Sequence, residues 1–221
     1  MRAVRLLSAC LVVLAHAAAA SAAPGDPHKQ IVPAVQAKAR AINVRLADLP
    51  AASWRVRPSS ASASSPPRCS YYHPDQSDLT ENGSADSPEF TLPSTSFVSS
   101  STSIFQTPAQ GRTAYARVVR PLLPRCLGEI FRKGTGQPER VRVVSAAAMS
   151  FPNLAERTHA YRVAADFRTS PKTTVHVYLD FVALNRGKVD VVVFFAGIGL
   201  PFGASFERTV VGRVAARMAA A

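Results

Sequence analysis

The densest group of reactive side chains is RCSYYHPDQSDLTENGS, residues 68–84, which brings Cys69, Tyr71, Tyr72, His73, Asp75, Asp78 and Glu81 together. Three chemistries could use such a set. A structural zinc site wants four ligands with paired Cys or His at short spacing, but here one sulfur, Cys69, stands with His73, Asp75 and Asp78. A calcium loop wants alternating oxygen ligands and a glycine at a fixed place, and Asp75, Asp78, Glu81, Asn82 and Gly83 miss that register. A nucleophilic thiolate would set Cys69 beside His73 as its base.

Cys126 argues for a fourth reading. With Cys10 set aside in a leader, Cys69 and Cys126 are the only cysteines, and an isolated pair in an exported chain reads as a disulfide. Closing so long a loop stabilises by about 4 kcal/mol on the chain-entropy estimate. The stretch is then the polar rim of a stapled loop, with Asp78 capping local amides. No metal and no cofactor are expected.

The remaining candidates for catalysis are weak. No G-x-S-x-G occurs, His28 falls in the leader, and His159 falls in a loop before a strand. His176 alternates away from the apolar residues around it, as a surface residue of a strand does. Gly197-Ile198-Gly199-Leu200-Pro201-Phe202-Gly203 lacks the strand–turn–helix phosphate fingerprint and reads as a tight bend. Asn82-Gly83-Ser84 matches a glycosylation sequon, a common tripeptide. No catalytic residue is assigned.

The amino terminus sets the compartment. Arg2 and Arg5 precede an apolar run from Leu6 to Ala20, and Ala20-Ser21-Ala22 suits a signal-peptidase site, so residues 1–22 read as a secretory signal. A lipobox-like Leu7-Ser8-Ala9-Cys10 stands too early, ahead of the apolar run instead of behind it. Without an uncleaved signal, no membrane attachment is expected. Val191–Phe202 is too short to span a bilayer and contains Gly197, Gly199 and Pro201, so it reads as core. The formal charge is +12, or +10 without Arg2 and Arg5. Such a balance favours anionic envelope partners. The basic residues are scattered without a cluster, which speaks against nucleic acid.

These residues must be positioned by a mixed α and β scaffold. Residues 23–32 read as a disordered leader and 33–218 as one domain, interrupted by a Ser/Pro-rich linker at 58–67. A helix over about 33–45 starts at Pro33 and carries Val35, Ala39, Ile42 and Leu46. Residues 53–57 alternate like a strand, and Phe90–Phe105 is strand material with breaks. Thr107-Pro108-Ala109-Gln110 is a capping-box start for a helix that Pro121 and Pro124 must kink or split. Val141 and Val143 begin another strand. Two hairpins follow, turned at Thr169–Lys172 and at Asn185-Arg186-Gly187, with their valines, leucines and aromatics expected on one face. Phe206, Val210, Val214 and Met218 mark a closing helix. Five to six antiparallel strands flanked by helices make an α+β domain.

The order "ADLPAASW", "CSYYHPDQSDLTENGSADSPEF", "VVRPLLPRCLGEIF", then "HAYRVAADF", "TVHVYLDFVAL" and "KVDVVVFFAG" resembles secreted single-domain proteins of actinobacterial type. Those proteins are similar to the extracellular sensor domains of bacterial serine/threonine kinases, with a PsbP-like α–β–α sandwich. The resemblance runs over roughly 33–218 and implies a non-catalytic domain with a cleft on one sheet face for a ligand or partner. This chain departs from the kinase type in having no kinase, no transmembrane segment and a single cysteine pair.

The expectation is an exported, disulfide-stapled, monomeric binding or sensor-like module for a small ligand or an envelope partner. Trp54, Tyr71, Tyr72 and Tyr178 are the candidate ligand-binding residues. A secreted hydrolase and an envelope structural protein that binds anionic polymers are the alternatives.

Overall fold

In the computed structural model, residues 24–50, 53–59, 66–92, 96–170 and 172–221 are described. The expected signal peptide, and residues 60–65 of the expected linker, lie outside them. In chain order the elements are β1 (His28–Lys29), α1 (Pro33–Ile42), β2 (Arg55–Arg57), β3 (Thr80–Asp86), β4 (Glu89–Leu92) and β5 (Ser96–Phe105). There follow α2 (Pro108–Val118), α3 (Leu123–Gly134), β6 (Val141–Met149), β7 (Arg157–Ser170), β8 (Thr173–Arg186), β9 (Val189–Ile198) and α4 (Ala204–Ala219).

All nine strands join one sheet in the order β1-β3-β5-β9-β8-β7-β6, with β4 beside β5 and β2 outside β4. Among the described strands only the β1–β3 pairing is parallel. The α+β class stands, but the sheet is larger than the five to six strands expected. Part of the stretch 23–32 carries β1, whose His28 and Lys29 align with Thr80 and Glu81. The main addition is β3, TENGSAD, which shows no apolar alternation. Its order comes from neighbours instead. It pairs with β5 on one side and β1 on the other, and α1 crosses it so closely that a Cβ at Gly83 would stand 2.8 Å from the Gln36 amide nitrogen. The Gln36 side chain accepts from Ser84 N (2.9 Å) and donates back to Ser84 O, as a neighbouring strand would. The sequon Asn82-Gly83-Ser84 therefore lies in a strand. Pro88, which has no amide hydrogen, separates β3 from β4 along the same edge of β5.

Several local signals act as read. Pro33 opens α1, and Pro108 opens α2 behind Thr107, whose hydroxyl accepts from Gln110 N at 3.2 Å. The Gln110 side chain does not close a capping box; it accepts from Thr80 N at 3.1 Å and ties α2 to β3. Pro121 and Pro124 divide the long helix into α2 and α3. The β8–β9 pairing continues to Arg186 opposite Val189, so the turn is Gly187-Lys188, two residues instead of three, with Gly187 at φ 55°. The bend 197–203 joins β9 to α4, with Gly199 at φ 84°.

The expected single apolar face is corrected. Val189, Val191, Val193 and Phe195 pack with Val182 and Leu184 under α1 and α4. Val163, Val177, Leu179 and Ala196 pack on the other face with Cys126, Leu127 and Phe131 of α3. The register explains this, because Val193 lies opposite Val182 while Phe194 lies opposite Phe181. A strand covered on both faces is a nearly continuous apolar run, which is what VDVVVFFAGI is.

Two charged clusters secure α4. Arg217 places both terminal nitrogens on the Asp48 carboxylate (3.0 and 2.6 Å) and also donates to Ile42 O and Asn43 O at the end of α1. Burial opposes the ionised form of Asp48, but the hydrogen bonds from Arg217 and the Arg45 amide prevail and lower its pKa. Arg162 holds Asp180 in a bidentate pair (2.6 and 2.7 Å) beneath Glu207 of α4.

A candidate ligand cleft at the disulfide

Cys69 and Cys126 are joined, with their Cα atoms 5.8 Å apart and a sequence separation of 57. The bridge pins a tight turn in which Cys69 N donates to Tyr72 O (3.1 Å) and Tyr72 N to Cys69 O (3.0 Å). Tyr72 is consequently buried in the α3 core, its hydroxyl donating to Val118 O at the end of α2. Burial holds the Tyr72 phenol well above its ordinary range, so it stays a donor. Tyr71, half-buried, lies under the Arg125 guanidinium, 4.6 Å from the ring centroid.

Between this turn and the α2–α3 joint lies an open cleft of about 350 Å³, lined by Tyr71, Tyr72, His73, Pro74, Arg117, Arg120, Pro121 and Leu122. A second depression of about 420 Å³ adjoins it, bounded by His73, Asp75, Ser77, Asp78, Arg117 and Arg120. His73, Arg117 and Arg120 line both. Arg117 is committed, since it pairs with both Asp78 oxygens and donates to Asp75 O at 2.8 Å. That pair lowers the Asp78 pKa. Asp75 caps a local amide as well, accepting from Ser77 N at 3.0 Å. Arg120 is exposed and its side chain makes no hydrogen bond or ion pair among the described residues. The first cleft thus joins an apolar and aromatic wall to one uncommitted guanidinium.

The four aromatic candidates do not converge. Tyr71 and Tyr72 line the cleft, whereas Trp54 and Tyr178 belong to the opposite face. Trp54 stacks on Phe206 (6.4 Å between centroids) and donates to Pro50 O at 3.2 Å, as part of the α4 packing. Tyr178 shares a face of β8 with Asp180, near Arg162. Arg117, Arg120 and Leu122 were not singled out in the sequence. The pair of prolines marks the joint at which Arg120 and Leu122 stand exposed, but nothing local marks Arg117 or Arg120 as site residues.

The other reactive groups have structural partners. Cys69 is spent in the bridge, and among the described residues no three His, Cys, Asp or Glu side chains gather as a metal site. His176 and Arg142 both contact Asp166 across neighbouring strands at the surface. His159 lies in β7, not in a loop, with its Nδ1 3.0 Å from the Tyr115 hydroxyl. No helix among the described residues is long and apolar enough to cross a membrane.

No known protein family matches the chain, and no curated protein matches it. Among solved structures it is similar to LpqN of Mycobacterium tuberculosis, a protein involved in cell envelope biogenesis. The identity is 10%, 75% of each chain is covered, and the TM-score is 0.29. At that level no property of LpqN passes to this chain.

Proposed function

We propose that the chain is an exported, non-catalytic, sensor-like binding module that takes a ligand bearing one anionic group in the cleft beside Cys69–Cys126. One observation carries this reading: Arg120, whose side chain makes no hydrogen bond or ion pair among the described residues, stands at the mouth of an aromatic and apolar cleft held in shape by a covalent bridge. A guanidinium beside an apolar wall matches an amphipathic anion, in which the charge fixes orientation and the apolar body supplies burial.

The test is an amide NMR titration of the oxidised protein with phenyl phosphate, with phenol and inorganic phosphate as its separate halves. Shifts confined to Tyr71, His73, Arg120 and Leu122, weakened tenfold or more in Arg120→Ala, are expected. Shifts elsewhere, or indifference to Arg120→Ala, would overturn the cleft as the site. Release of phenol during the titration would overturn the non-catalytic reading in favour of a hydrolase. The charge, +12 for the full chain and +10 without Arg2 and Arg5, favours a second reading, adhesion to an anionic envelope polymer. Its mark is binding to such a polymer that collapses with salt and ignores Arg120→Ala.

A further inference from the structure

The two edges of the sheet are built differently. On one side the outer strands are β1, two residues long, and β2, three residues long, and β2 presents exposed Arg55 and Arg57. Short, charged edges of this kind discourage strand pairing. On the other side β6 runs for nine residues and, among the described residues, pairs only with β7. Its sequence, VRVVSAAAM, contains no proline, lysine or acidic residue. The single charge, Arg142, is directed at Asp166 of β7. Val144 is 56% exposed, and Ser145, Ala147 and Ala148 are exposed as well. The one protective device is an irregularity between Val143 and Ser145, after which Ser145 to Met149 run in regular register with Ala164 to Ala160. α3 presses on the inner face of this strand at Gly128, which faces Val143 and Ala146, so the edge is backed by a helix.

An edge of this kind presents a row of unpaired backbone donors and acceptors, and its natural occupant is another extended strand. The side chains decide which strand. Ser145–Met149 offers no charge for an acidic or basic segment to read, only small side chains that suit other small side chains. Antiparallel pairing of this segment with itself, about a two-fold axis through Ala147, sets Ser145 against Met149 and Ala146 against Ala148. The two Arg142 side chains then lie at opposite ends, away from one another. We propose that β6 is an association edge through which the chain pairs with β6 of a second copy, making one sheet continuous across the dimer. Each partner carries a charge of +12, so association is opposed at long range and favoured when salt screens that repulsion.

Sedimentation equilibrium of the oxidised full chain, at low and high salt and at concentrations up to about 1 mM, tests this. A monomer–dimer equilibrium that tightens with salt is expected. Ala147→Lys, which sets two like charges at the axis, should weaken it tenfold or more, while Val56→Lys on the guarded edge leaves it unchanged. Amide exchange of the wild-type chain should show protection that grows with concentration at Ser145–Met149, a readout independent of whether Ala147→Lys folds. A monomer at every concentration, a dimer indifferent to Ala147→Lys, or protection confined to other segments would overturn the proposal.

Discussion

Glu207 sits in the first turn of α4 with no exposed surface, and neither of its carboxyl oxygens has a hydrogen-bond donor. The nearest cation, Arg162, spends its bidentate pair on Asp180 and stands 3.8 Å from Glu207 Oε1. Burial first, and the neighbouring Asp180 carboxylate second, raise the Glu207 pKa well above its ordinary 4.5. A proton on Glu207 lets it donate to Asp180, which keeps its own charge against Arg162. Below about pH 4.5 both the folded and the unfolded chain carry this proton, and its contribution to stability is complete. As pH rises from there to the raised folded value, unfolding releases the proton, and stability falls by at most about 1.4 kcal/mol per pH unit. The Arg162 side chain is 32% exposed, so water screens the site and the whole loss is roughly 2 kcal/mol. Glu207→Gln keeps the shape, offers Asp180 an amide donor and has no proton to lose. In urea denaturation the variant should match the wild type within about 0.5 kcal/mol near pH 5 and exceed it by roughly 2 kcal/mol near pH 9. Asp190, which burial also raises, gives both proteins a residual slope, so the difference between the curves isolates Glu207. Curves that run parallel from pH 5 to 9 would refute the reasoning.

Two further perturbations address the supports of the fold. Replacing Cys69 and Cys126 together by alanine frees a 57-residue separation and should cost about 4 kcal/mol, read from the urea midpoint; a loss under about 1 kcal/mol would count against the staple as a stabilising element. Arg217→Met leaves the Asp48 carboxylate buried without its cation and should cost about 3 kcal/mol at neutral pH. Because the Asp48 pKa is lowered in the folded protein, the wild type keeps this contribution above the ordinary 3.8 and loses it as pH falls through the lowered value, so wild type and variant should converge in acid. A constant gap down to low pH would show that the loss comes from packing alone.

The places where the sequence was legible are those governed by neighbours along the chain. Pro33, the Thr107-Pro108 start, the break at Pro121 and Pro124, and the turn at Gly187 each act within a few residues and appear where their chemistry put them. The candidate site was legible only in part. Tyr71 and Tyr72 were singled out beside the staple, but Arg117 and Arg120 carry no local mark that distinguishes them from the other arginines of a basic chain. Trp54, a candidate as an aromatic near the staple in sequence, stacks on Phe206.

By itself the sequence determined the α+β class, the helix and hairpin punctuation, and the pairing of the two cysteines, because propensity, capping and cysteine number are properties of short segments or of composition. Tertiary structure alone decided three other things. It made a strand of TENGSAD through the backbone of β5 and the closeness of α1, neither of which is written in those seven residues. It covered both faces of β8 and β9, because the register, set by turns and by helices far along the chain, decides which side each valine faces. And it joined residues 71–74 to 117–122 as one cleft. A cleft, a buried carboxyl pair and an open sheet edge are relations between distant segments, and their energies exist only once the chain has brought those segments together.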